Sequence, residues 1–255
     1  MRRGARLRIL FVALAGLVGL AQAEPNPPPL LDFDSTVTAA RLELRSYCAL
    51  VQKLDSASTA EAVNVTLDHL GRAQAVWREV VARYGTNPPA EYLSDAGFAA
   101  RLADVETAMG QMESLLRAGD YAGSFKACGK GCAEFIRMHE ENRLAYASDR
   151  LYHLRRATKD AIATAKDSAG PGRADSLVAR VLELRNRALL GPCPYPGDTD
   201  RCQCYRRKVS DMSAAVDRFV LARHHRDAAF AATGDALMDA VNRAYSAALR
   251  CTNKE

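Results

Sequence analysis

The chain has 255 residues, 35 Lys and Arg against 30 Asp and Glu, and a formal charge of +5. Four of those basic residues, Arg2, Arg3, Arg6 and Arg8, lie at the very start; without them 31 basic residues face 30 acidic ones. So even a balance excludes the broad basic footprint of a nucleic-acid binder, and a 48% apolar composition is ample for a proper core.

Residues 1–23 read as a signal peptide. The basic start is followed by an apolar run from Leu10 to Leu20, then by Ala21-Gln22-Ala23, the small-x-small pattern of a signal-peptidase site. The run is short for a permanent membrane anchor, and no Cys stands at the cleavage point to carry a lipid. The expectation is cleavage near Ala23/Glu24 and a periplasmic or secreted protein, in a compartment that oxidises thiols. About 230 residues then remain, enough for one large domain or two small ones. Residues 24–33 form a Pro-rich lead-in, with Pro25, Pro27, Pro28 and Pro29 opposing helix there.

From Asp34 onward the pattern is helical. Phe98, Leu102, Val105, Met109, Met112 and Leu116 recur at alternating spacings of four and three, the seam of a helix bundle. Val63, Leu67, Leu70, Trp77, Val81 and Tyr84 make a second stripe; Val209, Met212, Val216, Phe219 and Val220 make a third. No stretch alternates with the period of a strand. Breakers divide the chain into eight predicted helices, near 34–55, 59–84, 94–117, 120–146, 149–168, 174–190, 203–231 and 235–251. The predicted fold is all-α and up-down: two tandem four-helix bundles, over 34–146 and 147–255, the second with a Cys-rich loop. A Gly-Asp pair is predicted to open the last helix of each half, at Gly119-Asp120 and Gly234-Asp235, as a tandem repeat would have it. The join at Ser148-Asp149 holds neither Gly nor Pro, so the fourth and fifth helices are free to run on as one.

Seven cysteines, all beyond the leader, leave one thiol over after pairing. In the second half, Cys193, Cys202 and Cys204 flank one loop. A bridge from Cys193 to Cys202 or Cys204 staples the helix ends there, with the remaining Cys reaching Cys251 or Cys48. Three local Cys fall short of the four ligands of structural zinc. In the predicted fourth helix, Cys128, Cys132 and His139 fall on one stripe, beside Phe135 and Ile136. His139 lies roughly 10 Å along the axis from Cys132, too far to share one small ion but within the span of a planar cofactor. Cys128 and Cys132 alone are a candidate soft-metal pair for copper or zinc, or a strained disulfide.

This stretch resembles the four-helix cytochromes of the periplasm, the cytochrome c-prime and soluble b-type group. In one register, His139-Glu140-Glu141-Asn142-Arg143 is similar to the b-type ending, with Asn142 in place of the aromatic; His139 is then the candidate haem ligand. Leu44 stands where that family has its axial Met. In the other register, Cys132-Ala133-Glu134-Phe135-Ile136-Arg137 is similar to the c-type Cys-His-x-x-aromatic-Arg, with Ala133 in place of the ligand His. Cys-x-x-Cys-His is absent, so the resemblance implies a member of this bundle type without covalent haem.

The basic runs Arg155-Arg156 and Arg206-Arg207-Lys208 read as solvated helix faces, the alternative being a phosphate-binding patch. Adjacent His224 and His225 point about 100° apart and read as surface residues, as do the isolated His69 and His153. No phosphate loop, nucleophile elbow or metalloprotease motif is present, and no catalytic residue is assigned. The functional expectation is a disulfide-stapled helical protein with a non-catalytic binding or scaffolding role and no cofactor. Its partner is an unidentified protein or small molecule, a homodimer being compatible. The alternative is a haem- or soft-metal-binding protein that uses the fourth helix. A redox-active thiol enzyme is disfavoured, since no thioredoxin-like Cys-x-x-Cys occurs.

Overall fold

A computed structural model describes residues 29–166, 171–225 and 230–252. The expected leader, its expected cleavage site and residues 24–28 of the expected lead-in fall outside them. The described residues form eight α-helices, a short 3-10 turn at Ala90–Tyr92 and no strand. The helices are α1 (Leu30–Val51), α2 (Ala60–Tyr84), α3 (Phe98–Arg117), α4 (Tyr121–Glu141), α5 (Ala147–Lys166), α6 (Pro171–Leu190), α7 (Thr199–His224) and α8 (Phe230–Leu249). In α1–α4 each helix packs on the next and α4 returns to α1; α5–α8 repeat the circuit, with α8 returning to α5. Each set of four encloses its own apolar core. This is the up-down arrangement that the stripes predicted.

The α3 seam is buried along its whole length, from Phe98 (3% exposed) through Met112 to Leu116. In α2 the buried face is Leu70, Ala73, Trp77, Val80 and Tyr84; Val63, Leu67 and Val81 pack at its margin. The Trp77 indole donates to the Leu102 carbonyl (3.0 Å) and meets Phe135 edge-on at 5.3 Å. At one end of the first bundle, Phe33 packs against Tyr84, Tyr92 and Phe98. In α7, Val209, Met212, Val216 and Phe219 are buried and Val220 is marginal.

The helix ends correct several sequence-based boundaries. α1 begins at Leu30, inside the expected lead-in, because Pro29 sits at the cap. There its missing N–H costs nothing, and its carbonyl accepts from Asp32 and Phe33. Pro171 is likewise the first residue of α6, a position that suits its fixed φ. Asp120 caps α4 by accepting the Gly123 N–H (2.8 Å), while Gly119, at φ 78°, closes α3. Gly234-Asp235 does not open α8, which starts at Phe230. Gly234 lies inside the helix instead, where a Cβ would come within 3.3 Å of Ile162 on α5.

α4 and α5 are not continuous. Arg143 adopts φ 58°, its N–H bonds to Glu140 O (3.0 Å), and the Leu144 N–H reaches back to His139 O (2.9 Å). That pair of bonds is a Schellman stop, built here on Arg where Gly is usual. The chain therefore turns between the bundles, and the turn brings the end of α4 against the start of α5.

Three disulfides staple the fold. Cys48 on α1 joins Cys128 on α4, Cys193 joins Cys202 across the α6–α7 loop, and Cys204 joins Cys251 beyond α8. Cys132 is the free thiol.

Candidate functional site

Along the α4 stripe, Cys128 packs into the first core, while His139 near its end meets the second bundle. Cys128 and His139 are buried, and Cys132 is half-buried between them. The soft-metal pair of Cys128 and Cys132 does not form, because the Cys128 sulfur is bonded to Cys48 and cannot ligate as a thiolate. Among the described residues, no three His, Cys, Asp or Glu side chains gather as a metal site.

His139, 2% exposed, is held by the turn that ends α4. Its Nδ1–H donates to Asp149 Oδ2 on α5 (2.7 Å), and its ring stacks on Tyr146 with centroids 4.0 Å apart. Ser148 donates to the other Asp149 oxygen at 3.1 Å. Arg41 of α1, 7% exposed, approaches that same oxygen at 3.9 Å. The Arg41 guanidinium also lies over the Phe135 ring (5.3 Å) and reaches Tyr245 Oη of α8 at 3.4 Å. Arg45, one turn on, donates to the Asn242 carbonyl (3.1 Å) and covers the Tyr245 ring at 4.8 Å. Arg155 of α5 donates to Asn242 Oδ1 at 2.7 Å. The seam is thus a polar layer in which α1 and α4 of one bundle meet α5 and α8 of the other.

Sequence reasoning singled out His139 on its helical stripe but missed its partners. Arg155 is not on a solvated face: Arg156 points to solvent, while Arg155 turns into the seam. His224 and His225 are exposed, as expected. His69 and His153 each hold a glutamate, Glu43 and Glu140, both at 2.7 Å.

Burial raises the Asp34 carboxyl above its ordinary value, and nearby Glu91 adds to the rise. The Tyr146 hydroxyl, which donates to it at 2.7 Å, and the nearby His139 and Arg41 only partly offset this. A carboxyl raised in the folded state binds its proton more tightly there, so its contribution to stability declines as pH rises through the folded value. Asp34→Asn should therefore flatten part of the fall in stability from about pH 4 upward. Urea midpoints across that range check this, and parallel pH profiles for the two proteins would refute it.

Burial also pushes the Cys132 thiol up, although Arg41, Arg155 and Arg45 pull it down. Where α7 begins and α8 ends, a cavity of about 300 Å³ is lined by Arg201, Arg250, Cys251 and Thr252. Arg201 is already engaged there, stacked over Tyr195 at 4.1 Å and near Asp198 at 3.9 Å.

Fold and seam together define an all-α, disulfide-stapled double bundle with a buried ionic layer between its halves. No protein family matches the chain, and no curated protein or solved structure is significantly similar to it.

Proposed function

We propose that this is an exported, non-catalytic binding or scaffolding protein whose two stapled bundles act as one rigid body. The observation that carries the reading is the seam, where the buried His139, Asp149 and Arg41 and the half-buried Tyr245 link four helices. Such a layer costs desolvation and is intolerant of partial exposure, so it favours one fixed relation of the bundles. Export is supported by the leader-like residues 1–23 and by the three disulfides, which persist in oxidising compartments. Among the described residues no helix is long and apolar enough to cross a membrane.

One observation favours the haem or metal alternative. A carboxylate on Nδ1 is the arrangement that fixes an imidazole for ligation through Nε2, and Asp149 gives His139 that carboxylate. Weighing against it, Tyr146 covers the ring face and the imidazole is almost wholly enclosed. An absorption scan with metal analysis, on protein purified from an oxidising compartment, separates the two readings. The binding role predicts no Soret band and no stoichiometric copper or zinc; a Soret band lost in His139→Ala would overturn it.

A further inference from the structure

Three guanidinium groups from both bundles converge on Asn242 and Tyr245 of α8. Arg41 makes only long contacts there: Tyr245 Oη and Ser148 Oγ at 3.4 Å, and Asp149 at 3.9 Å. Arg45 uses Nη2 on the Asn242 carbonyl, and its Nη1 is buried without an acceptor. Arg155 spends Nε on Asn242 Oδ1. Among the described residues, Asp149 is the one carboxylate within ion-pair distance of any of the three, and His139 shares it. Burial, together with the neighbouring Arg155 and Arg41, makes it harder for Arg45 to hold its proton, though Tyr245 and Cys132 lie near enough to offset this in part. Surface arginines tolerate such crowding because water screens them; half-buried ones do not.

Planar forks in surplus over carboxylates, one of them with a buried and unused donor, match the geometry of a tetrahedral oxyanion, which accepts paired N–H bonds on several faces. We propose that the seam binds a small inorganic oxyanion, phosphate or sulfate, between Arg41, Arg45 and Arg155, with the Cys132 thiol at its edge. The enclosed Arg45 Nη1 selects a bare ion over a bulky phosphate ester. The thiol, held protonated by burial, neighbours the ion without competing for its site. The ion neutralises the layer and ties α1 to α5 and α8. This assignment gives the binding reading a ligand class and rests on it.

The test titrates the purified protein, leader removed, with sodium phosphate or sodium sulfate at constant ionic strength, using sodium chloride as reference and glycerol phosphate as an ester arm. The thermal midpoint should rise with phosphate and sulfate; at ~100 Kd the folded-to-unfolded ratio rises roughly hundredfold. Arg45→Gln and Arg155→Gln should lose the rise, while Arg206→Gln, on the exposed face of α7, should keep it. Phosphate should also slow N-ethylmaleimide labelling of Cys132, a readout on the unaltered chain that stands even where an Arg variant fails to fold. Equal midpoints in phosphate and chloride, unaltered labelling, an undiminished rise in Arg45→Gln, or a rise with the ester alone would each overturn the proposal. A Soret band would count against the binding reading, whereas a flat phosphate titration counts against the anion site alone.

Discussion

Replacing Cys48 and Cys128 together with Ala should lower the unfolding free energy by about 4.5 kcal/mol, the largest loss expected from any of the three bridges. The bridge closes a loop of 80 residues, against 9 for Cys193–Cys202 and 47 for Cys204–Cys251. In the chain-entropy description, the freedom returned to the unfolded chain grows with the logarithm of loop length, giving about 2.6 kcal/mol for the shortest. Position adds to the difference. Cys48–Cys128 crosses from α1 to α4 inside the first core, where Cys128 is 2% exposed; Cys193–Cys202 spans a loop at a helix end. Against a total of about 5–15 kcal/mol for a domain, the first loss threatens folding and the second does not. Urea unfolding followed by circular dichroism checks this. Equal midpoint shifts for the two double variants would contradict it.

Why that bridge escaped sequence reasoning, while the two others were anticipated in outline, is a matter of range. Cys193, Cys202 and Cys204 crowd one loop, so local geometry restricts their partners. Cys48 and Cys128 are brought together only once α1 and α4 are neighbours, a fact held in the packing of four helices. Judged within α4 alone, Cys128 had Cys132 as its natural companion one turn away. The helices themselves were legible because each core stripe repeats within its own segment. Where one helix stops was less so: Arg143 takes a left-handed conformation that its side chain does not advertise.

The seam was the least legible part. Arg41 lies among Phe33, Val37, Ala40, Leu44 and Tyr47 on the buried face of α1. A cation inside an apolar stripe was a usable signal, since Arg is seldom buried without a partner. Arg155 was harder to detect, because its neighbour Arg156 does face water and the pair looked like one solvated run. His139 stood out from sequence, but its partner Asp149 comes from the next helix. Only the Schellman turn at Asn142–Leu144 folds that carboxylate back onto the imidazole.

Asp149→Ala should cost about 3–5 kcal/mol, in line with removing one member of a buried ionic group. The loss exceeds that of an ordinary ion pair because two dependents are stranded at once. His139 loses the acceptor of its Nδ1–H, and Arg41 loses its ion-pair partner, while both remain enclosed at 2% and 7% exposure. Ser148 is left with a hydroxyl that no longer donates to a carboxylate. Asp149→Asn keeps an oxygen for the imidazole but gives up the charge, so it should fall between wild type and Asp149→Ala. The control is Glu140→Ala, which breaks an equally short pair with His153, but with side chains 55% and 37% exposed; solvent screening limits that loss to about 1 kcal/mol or less. Because Asp149 sits on α5 and its dependents on α4 and α1, its loss should also loosen the bundles relative to each other, seen as faster proteolysis at residues 142–146. A denaturant midpoint for Asp149→Ala as close to wild type as that of Glu140→Ala would mean that the ionic layer does not hold the two halves together.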